Sequence, residues 1–312
     1  MKSMHNKYSL FINYPLILFI FLLIVFTCNT FSQTNVVDTS DVKKKDSIFF
    51  KLKFLPGDTL VYKVISTDSI IIDFGKPLLK SRTERFRIIC DSVSKDEHYY
   101  LTIALIESIS KESQGNEKNL ENSNPPWLNR KIRLVIDSVG TRISGFSFDS
   151  LNPALCPGGA FQPYLIFPIN ASQKAVNESW IATSLDELYE NGLPVPLLKQ
   201  SSLFRAKGII DTLGDKCSRI EFIKTGQGNI PVVTENDKFN VTNIISGFGV
   251  MDISATRNIP VHFYATLEQK LTLHFPNNVT KPGLHYINSY FTLESVKHKK
   301  TGNNYRKNRK GK

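Results

Sequence analysis

VHFYATLEQKLTLHF, residues 261–275, places Val261, Phe263, Ala265, Leu267, Leu271, Leu273 and Phe275 on odd positions, and His262, Tyr264, Thr266, Glu268, Lys270, Thr272 and His274 on even ones. Successive side chains of a strand point to opposite faces, so a period of two writes one apolar and one polar face. Fifteen residues at about 3.3 Å each would reach roughly 50 Å. Such an element must bend around a core or turn at Glu268-Gln269.

The alternation spreads outward from this stretch. Phe204, Ala206, Gly208 and Ile210 alternate with Arg205 and Lys207, and Ile220 and Phe222 with Arg219 and Glu221. Earlier, Phe50, Leu52 and Phe54 alternate with Lys51 and Lys53. Phe86, Ile88 and Cys90 pair with Leu101, Ile103 and Leu105 as a hairpin across Ser94-Lys95-Asp96-Glu97. Ile132, Leu134 and Ile136 restart the pattern, and residues 287–296 give a last strand. Strands that bury one face belong to antiparallel sheets, because parallel sheets covered by helices read as continuous apolar runs. Residues 185–191, LDELYEN, read as a short helix capped by Ser184 and stopped by Gly192. Residues 108–124 are nearly devoid of apolar side chains and read as an exposed loop, while residues 225–246 fit no single pattern.

Residues 158–182 form the seam of an internal duplication. Pro56-Gly57-Asp58 leads into an apolar run, and Val176-Asn177-Glu178 does the same 120 positions later. Asp91 and Asp211 sit at the same spacing, and Asp137 and Asp252 are 115 apart. The expected fold is all-β, with antiparallel meanders in two pseudo-repeats forming a sandwich or an open or half barrel, with one or two short helices. The expected organisation is a signal peptide at 1–32, a flexible lead-in at 33–47, repeats at 48–157 and 158–296, and a disordered basic tail at 297–312.

The leader carries Lys2 and Lys7 before an apolar run of eleven residues, 16–26, and Thr30-Phe31-Ser32 at its end. That run is short of a bilayer-crossing helix, so the protein is expected to be exported to the periplasm or cell exterior. A lipoprotein anchored through Cys28 fits less well, because Phe26-Thr27 departs from the small residues such processing prefers. The formal charge of +11 resides mostly outside the body: two lysines leave with the leader and eight basic residues lie in 297–312. The body is near neutral, so nucleic acid is not an expected partner. Contact of the tail with an anionic envelope surface remains open beside a purely solubilising role.

Candidate chemistry is sparse. His262 and His274 share parity but are twelve residues apart without a neighbouring ligand set, and read as solvent-facing. Asp58, Asp91, Asp137, Asp211 and Asp252 flank strand ends, where aspartate shapes turns through its own backbone. Cys90 reads as a small core residue, and a bridge between Cys156 and Cys217 is conceivable but not deducible. Trp127, Trp180, Tyr164 and Phe167 read as core anchors before a recognition surface. No G-x-S-x-G elbow, P-loop or H-E-x-x-H motif occurs.

The order LPGDTLVYKV, FP…VNESW, GIIDTLGDKCSRIEF and GFGVMDISATRNIPVHFYATLEQKLTLHF resembles a family of uncharacterised exported bacterial β-proteins, over most of residues 49–275. That family pairs a K-x-G-D-x-Y opening with a V-x-x-G-D-x-W opening. Here Asn177-Glu178 stands where the second pattern has Gly-Asp. The resemblance implies export and a β-fold and carries over no site residue.

Two functions are therefore expected ahead of catalysis. One is a non-enzymatic envelope protein binding a hydrophobic ligand or lipid, since one-sided strands that curl can enclose such molecules. The other is a protein-interaction or structural module. An enzyme is not expected, for want of a nucleophile, base and orienting group, and neither is a cofactor or metal.

Overall fold

The computed structural model describes residues 46–115, 120–122, 125, 127–147, 165–166, 168–190, 193–233 and 238–298. The signal-peptide reading, most of the lead-in, Tyr164, Phe167, Cys156 and residues 299–312 lie outside them.

Every described element is a strand. A small pair joins β1 (Ser47–Phe49) antiparallel to β8 (Gln173–Ala175). The others are β2 (Thr59–Ile72), β3 (Leu78–Val93), β4 (Tyr99–Gln114), β5 (Leu120–Asn122), β6 (Lys131–Ile136), β7 (Arg142–Ser147), β9 (Ser179–Glu190), β10 (Leu193–Thr212), β11 (Asp215–Val233), β12 (Lys238–Ser254), β13 (Pro260–His274) and β14 (Thr280–Lys297). They form one sheet in the order β3-β2-β14-β13-β12-β11-β10-β9-β7-β6-β4-β5, and β3 also pairs with β4. Leaving β5 aside, the other eleven close on themselves. A ring with an odd number of strands cannot alternate direction throughout, so one join must be parallel. That join is β7 to β9, through the single pair Phe146 and Tyr189. The result is a nearly closed, barrel-like sheet to which both stretches 48–157 and 158–296 contribute.

β13 runs through Glu268-Gln269 without turning, each paired on both sides, to Ser246 and Ile245 of β12 and to Tyr286 and His285 of β14. Its odd residues Val261, Phe263, Ala265 and Leu267 are buried, so the long strand satisfies its apolar face by bending with the barrel wall. Aromatic rings follow one another around the inside: Trp180 to Phe204, Phe204 to Phe222, Phe222 to Phe263, Phe263 to Phe291 and Phe291 to Phe86, with centroids 5.3 to 6.2 Å apart. Phe50 stacks on Trp180 at 5.4 Å from the segment between β1 and β2, which fills this end of the barrel. Trp180 donates from Nε1 to the Ile169 carbonyl at 2.7 Å, so it is a core anchor. Gly249 makes room for this series: a Cβ there would lie 2.5 Å from Phe222 Cζ.

The turns that open the two halves are built alike. Gly57 has φ 86° and Asn177 φ 66°, both left-handed, which asparagine tolerates better than most residues. Asp58 Oδ2 accepts from Leu55 N at 2.9 Å, and Glu178 Oε2 accepts from Ala175 N at 2.9 Å. Gly57 N donates to Cys90 O as Asn177 N donates to Ala206 O, both at 2.7 Å. The Asn-Glu departure therefore keeps the turn. Hydrogen bonding matches Cys90 with Ala206, however, four positions short of the Asp91–Asp211 spacing.

Two sequence expectations are corrected, and a stretch left undecided is settled. No helix occurs among the described residues, and Leu185 through Glu190 belong to β9, paired residue for residue with β10. A seven-residue helix must bear the nucleation cost for very few bonds, whereas the ladder continues a strand already paired with β10 from Ser179 onward. The loop expected at 108–124 contains the end of β4 and all of β5. Its signal was inverted, because Ser108 and Ser110 face inward and Ile109 outward. Residues 225–246 lie largely in β11 and β12, where Gly226 and Asn243 occupy inward positions that apolar residues would have marked.

Candidate functional site

Beyond the aromatic series the inward face turns polar. Arg82 on β3 bonds Asp68 on β2 through Nε at 2.9 Å and Nη2 at 3.2 Å, and reaches Glu84 through Nη1 at 3.2 Å. His285 Nε2 lies 2.8 Å from Asp68 Oδ1, and its Nδ1 lies 3.3 Å from Gln269, which accepts from Asn243 Nδ2 at 2.7 Å. Burial alone would raise the Asp68 pKa, but hydrogen bonds and charge from His285 and Arg82 hold it below the usual carboxylate range. Burial dominates at Glu84 and pushes its pKa up despite Arg82. Of this layer, Asn243 Oδ1 is buried without a partner. Against the Phe222 and Phe263 rings, a small void beside Pro168, Ala182, Ser184 and Gln200 measures about 10 Å³, room for one water.

The residues singled out from sequence are mostly committed to the fold. Asp58 shapes its turn and meets His298 Nδ1 at 2.7 Å, and Asp137 Oδ1 accepts from Val139 N and Thr141 N. Asp91 accepts from Thr102 on the next strand instead. Asp252 is no turn former either. It is fully buried and accepts both Arg219 bonds at 2.8 Å, Thr212 Oγ1 at 3.0 Å and a contact from His262 Nδ1 at 3.2 Å. Burial would raise its pKa, but these bonds, led by Arg219, lower it to about 2. His262 is accordingly half-buried, while His274 is exposed beside Thr242, and the two do not meet. Cys90 and Cys217 are free, buried thiols. Burial pushes their pKa up to about 12 and about 11. Among the described residues no group of His, Cys, Asp or Glu is placed to hold a metal ion, and no helix is long and apolar enough to cross a membrane.

What the sequence did not announce lies on the outer face. Ile181 on β9 is directly opposite Leu203 on β10, Leu203 opposite Ile223 on β11, and Ile223 opposite Phe248 on β12. Phe248 meets the Tyr264 ring edge-on at 6.4 Å, and Tyr264 stacks at 4.6 Å on its partner Tyr290 of β14. Tyr290 is opposite Ile65 on β2, and Ile65 leads through Thr83 to Ile109 on β4. These apolar residues and Tyr290 are 47–69% exposed, apart from the half-buried Tyr264. They form a transverse row across nine neighbouring strands that steps by two residues between β12 and β13, where Phe248 is opposite Thr266 and Tyr264 opposite Val250. Ser179, Arg205 and Glu221 border it on one side, and Thr183, Ser201, Thr225, Ser246 and Glu268 on the other. One row is about 7 Å tall, far short of the roughly 25 Å band of a barrel that spans lipid. An exposed apolar array of this length is a mark of an interaction surface.

No family model matches the chain, and no curated protein matches it. Among solved structures the chain is similar to one described for lipid–protein interactions in lipovitellin, at 11% identity and a TM-score of 0.41, over 78% of this chain and 26% of that one. The chain thus spans about a quarter of that protein's length.

Proposed function

We propose that this is an exported, non-enzymatic binding protein that works from the outer face of its barrel, taking an apolar ligand or partner surface along the transverse row. The observation that carries the reading is that row: apolar and aromatic side chains on eight of nine neighbouring strands, with Thr83 on the ninth, facing solvent and bordered by polar positions. The non-enzymatic part is supported by the buried thiols, whose raised pKa disfavours the thiolate, and by carboxylates and histidines engaged with one another. Export rests on the leader at 1–32.

The test is titration of an apolar fluorescent probe into the purified protein and into an Ile223→Thr/Phe248→Thr variant. Threonine suits an exposed strand position, so the unfolding midpoint should hold. Probe binding should fall severalfold. Equal binding by both proteins would refute the reading.

A further inference from the structure

We infer that the end of the barrel crossed by the segment between β1 and β2 carries a second binding site, for a small monocarboxylate with an apolar chain. Lys53 takes the carboxylate, and the chain lies over Phe54, Leu55 and Val93. The site shares no residue with the outer row and stands independently of it.

The segment is fastened where it crosses. Leu52 N donates to the Ser138 carbonyl at 2.7 Å, and Lys53 N donates to the Asn258 carbonyl at 2.9 Å. The Tyr99 hydroxyl donates to the Leu52 carbonyl at 3.2 Å, and Phe54 meets the Tyr99 ring edge-on at 5.3 Å. Two cavities lie against this fixed chain. One, of about 430 Å³, faces the turn between β3 and β4 and is bounded by Phe54, Leu55, Pro56, Val93 and Tyr99. The other, of about 240 Å³, faces the turn between β12 and β13 and includes Asp58 and Arg257. Lys53, Leu55 and Asn258 line both, so the two share one wall. The larger has the size at which clefts hold small organic ligands.

Charge decides the class of ligand. Both acids at the cavities are already engaged, Glu97 with Lys51 at 2.6 Å and Asp58 with His298 at 2.7 Å, and Arg257 is held by Asp215 at 2.7 Å. Lys53 is exposed on the shared wall and has no ion pair among the described residues. A lone ammonium is a point charge that suits one carboxylate, whereas a phosphate group favours a guanidinium fork or several cations. Asn258, on the same wall, carries an amide donor. The apolar part follows from the floor and the rim. Phe54 and Tyr99 are buried beneath the larger cavity, while Leu55 is 49% exposed at its edge. An apolar chain laid there covers Leu55 and takes its surface out of water.

The experiment is isothermal titration calorimetry of octanoate, octylamine and butanoate into the purified protein. Octanoate should bind saturably, with one site per chain. Octylamine, with the opposite charge, and butanoate, with too short a chain, should bind about tenfold more weakly or not at all. Lys53→Gln should weaken octanoate binding about tenfold, since a hydrogen bond to a charged group is lost. Leu55→Ser should weaken it severalfold. Both side chains are exposed, so the unfolding midpoint should hold in each variant. Failure of octanoate to bind, equal binding of octylamine or butanoate, or undiminished octanoate binding by either variant overturns the inference.

Discussion

Arg82 grips Asp68 inside the barrel through two bonds, Nε to Oδ2 at 2.9 Å and Nη2 to Oδ1 at 3.2 Å, with both side chains only 3% exposed. A buried pair of this kind adds little over apolar side chains of the same size, but breaking it strands a charge. Arg82→Met should therefore destabilise the protein by about 3–5 kcal/mol in urea unfolding. Adding Asp68→Leu and Glu84→Leu should recover part of that loss. If the single substitution is neutral, the polar layer is not formed as described.

Asp252 ties stability to acid pH. Its folded pKa of about 2 lies below its ordinary 3.8, so its contribution is complete above the unfolded value and is lost as pH falls through about 2. Wild type should lose up to about 2 kcal/mol more than Asp252→Asn between pH 5 and pH 2. Parallel pH curves for the two proteins would contradict this.

The β2–β3 turn holds Asp73 at φ 54° and Phe74 at φ 57°, with Gly75 N donating to Ile72 O at 3.0 Å. Two left-handed central residues suit asparagine and glycine, and a bulky phenylalanine is strained there. Phe74 is 89% exposed, so its removal forfeits no burial. Phe74→Gly should raise stability by about 1 kcal/mol, read as a higher unfolding midpoint.

A methyl group at Gly249 would lie 2.1 Å from the Tyr264 carbonyl oxygen and 2.5 Å from the Phe222 ring. Gly249→Ala should cost about 2 kcal/mol, since neither backbone nor a stacked ring moves aside easily. Thermal unfolding checks it, and an unchanged midpoint would mean that the strands are not so closely apposed.

The parts legible in sequence were those where inward means apolar. β13 announced itself because Val261, Phe263, Ala265 and Leu267 all face the core. The end of β4 did not, because Ser108 and Ser110 face the inside and reverse the pattern. Asp252 looked like a turn residue beside Ser254, and only cross-strand register reveals Arg219 opposite it. The outer row was hidden for the same reason. Leu203 or Ile223 alone is an ordinary exposed apolar residue, and pairing across β9 to β14 turns such residues into a surface.

The most direct measurement is photolabelling with an apolar diazirine reagent, followed by mapping of the adducts by mass spectrometry. If the protein works from its outer face, adducts should fall on Ile181, Leu203, Ile223, Phe248 and Tyr290. Adducts concentrated on the inward residues Phe222, Phe263 and Leu267 would instead mean that ligand enters the barrel, and would contradict the account.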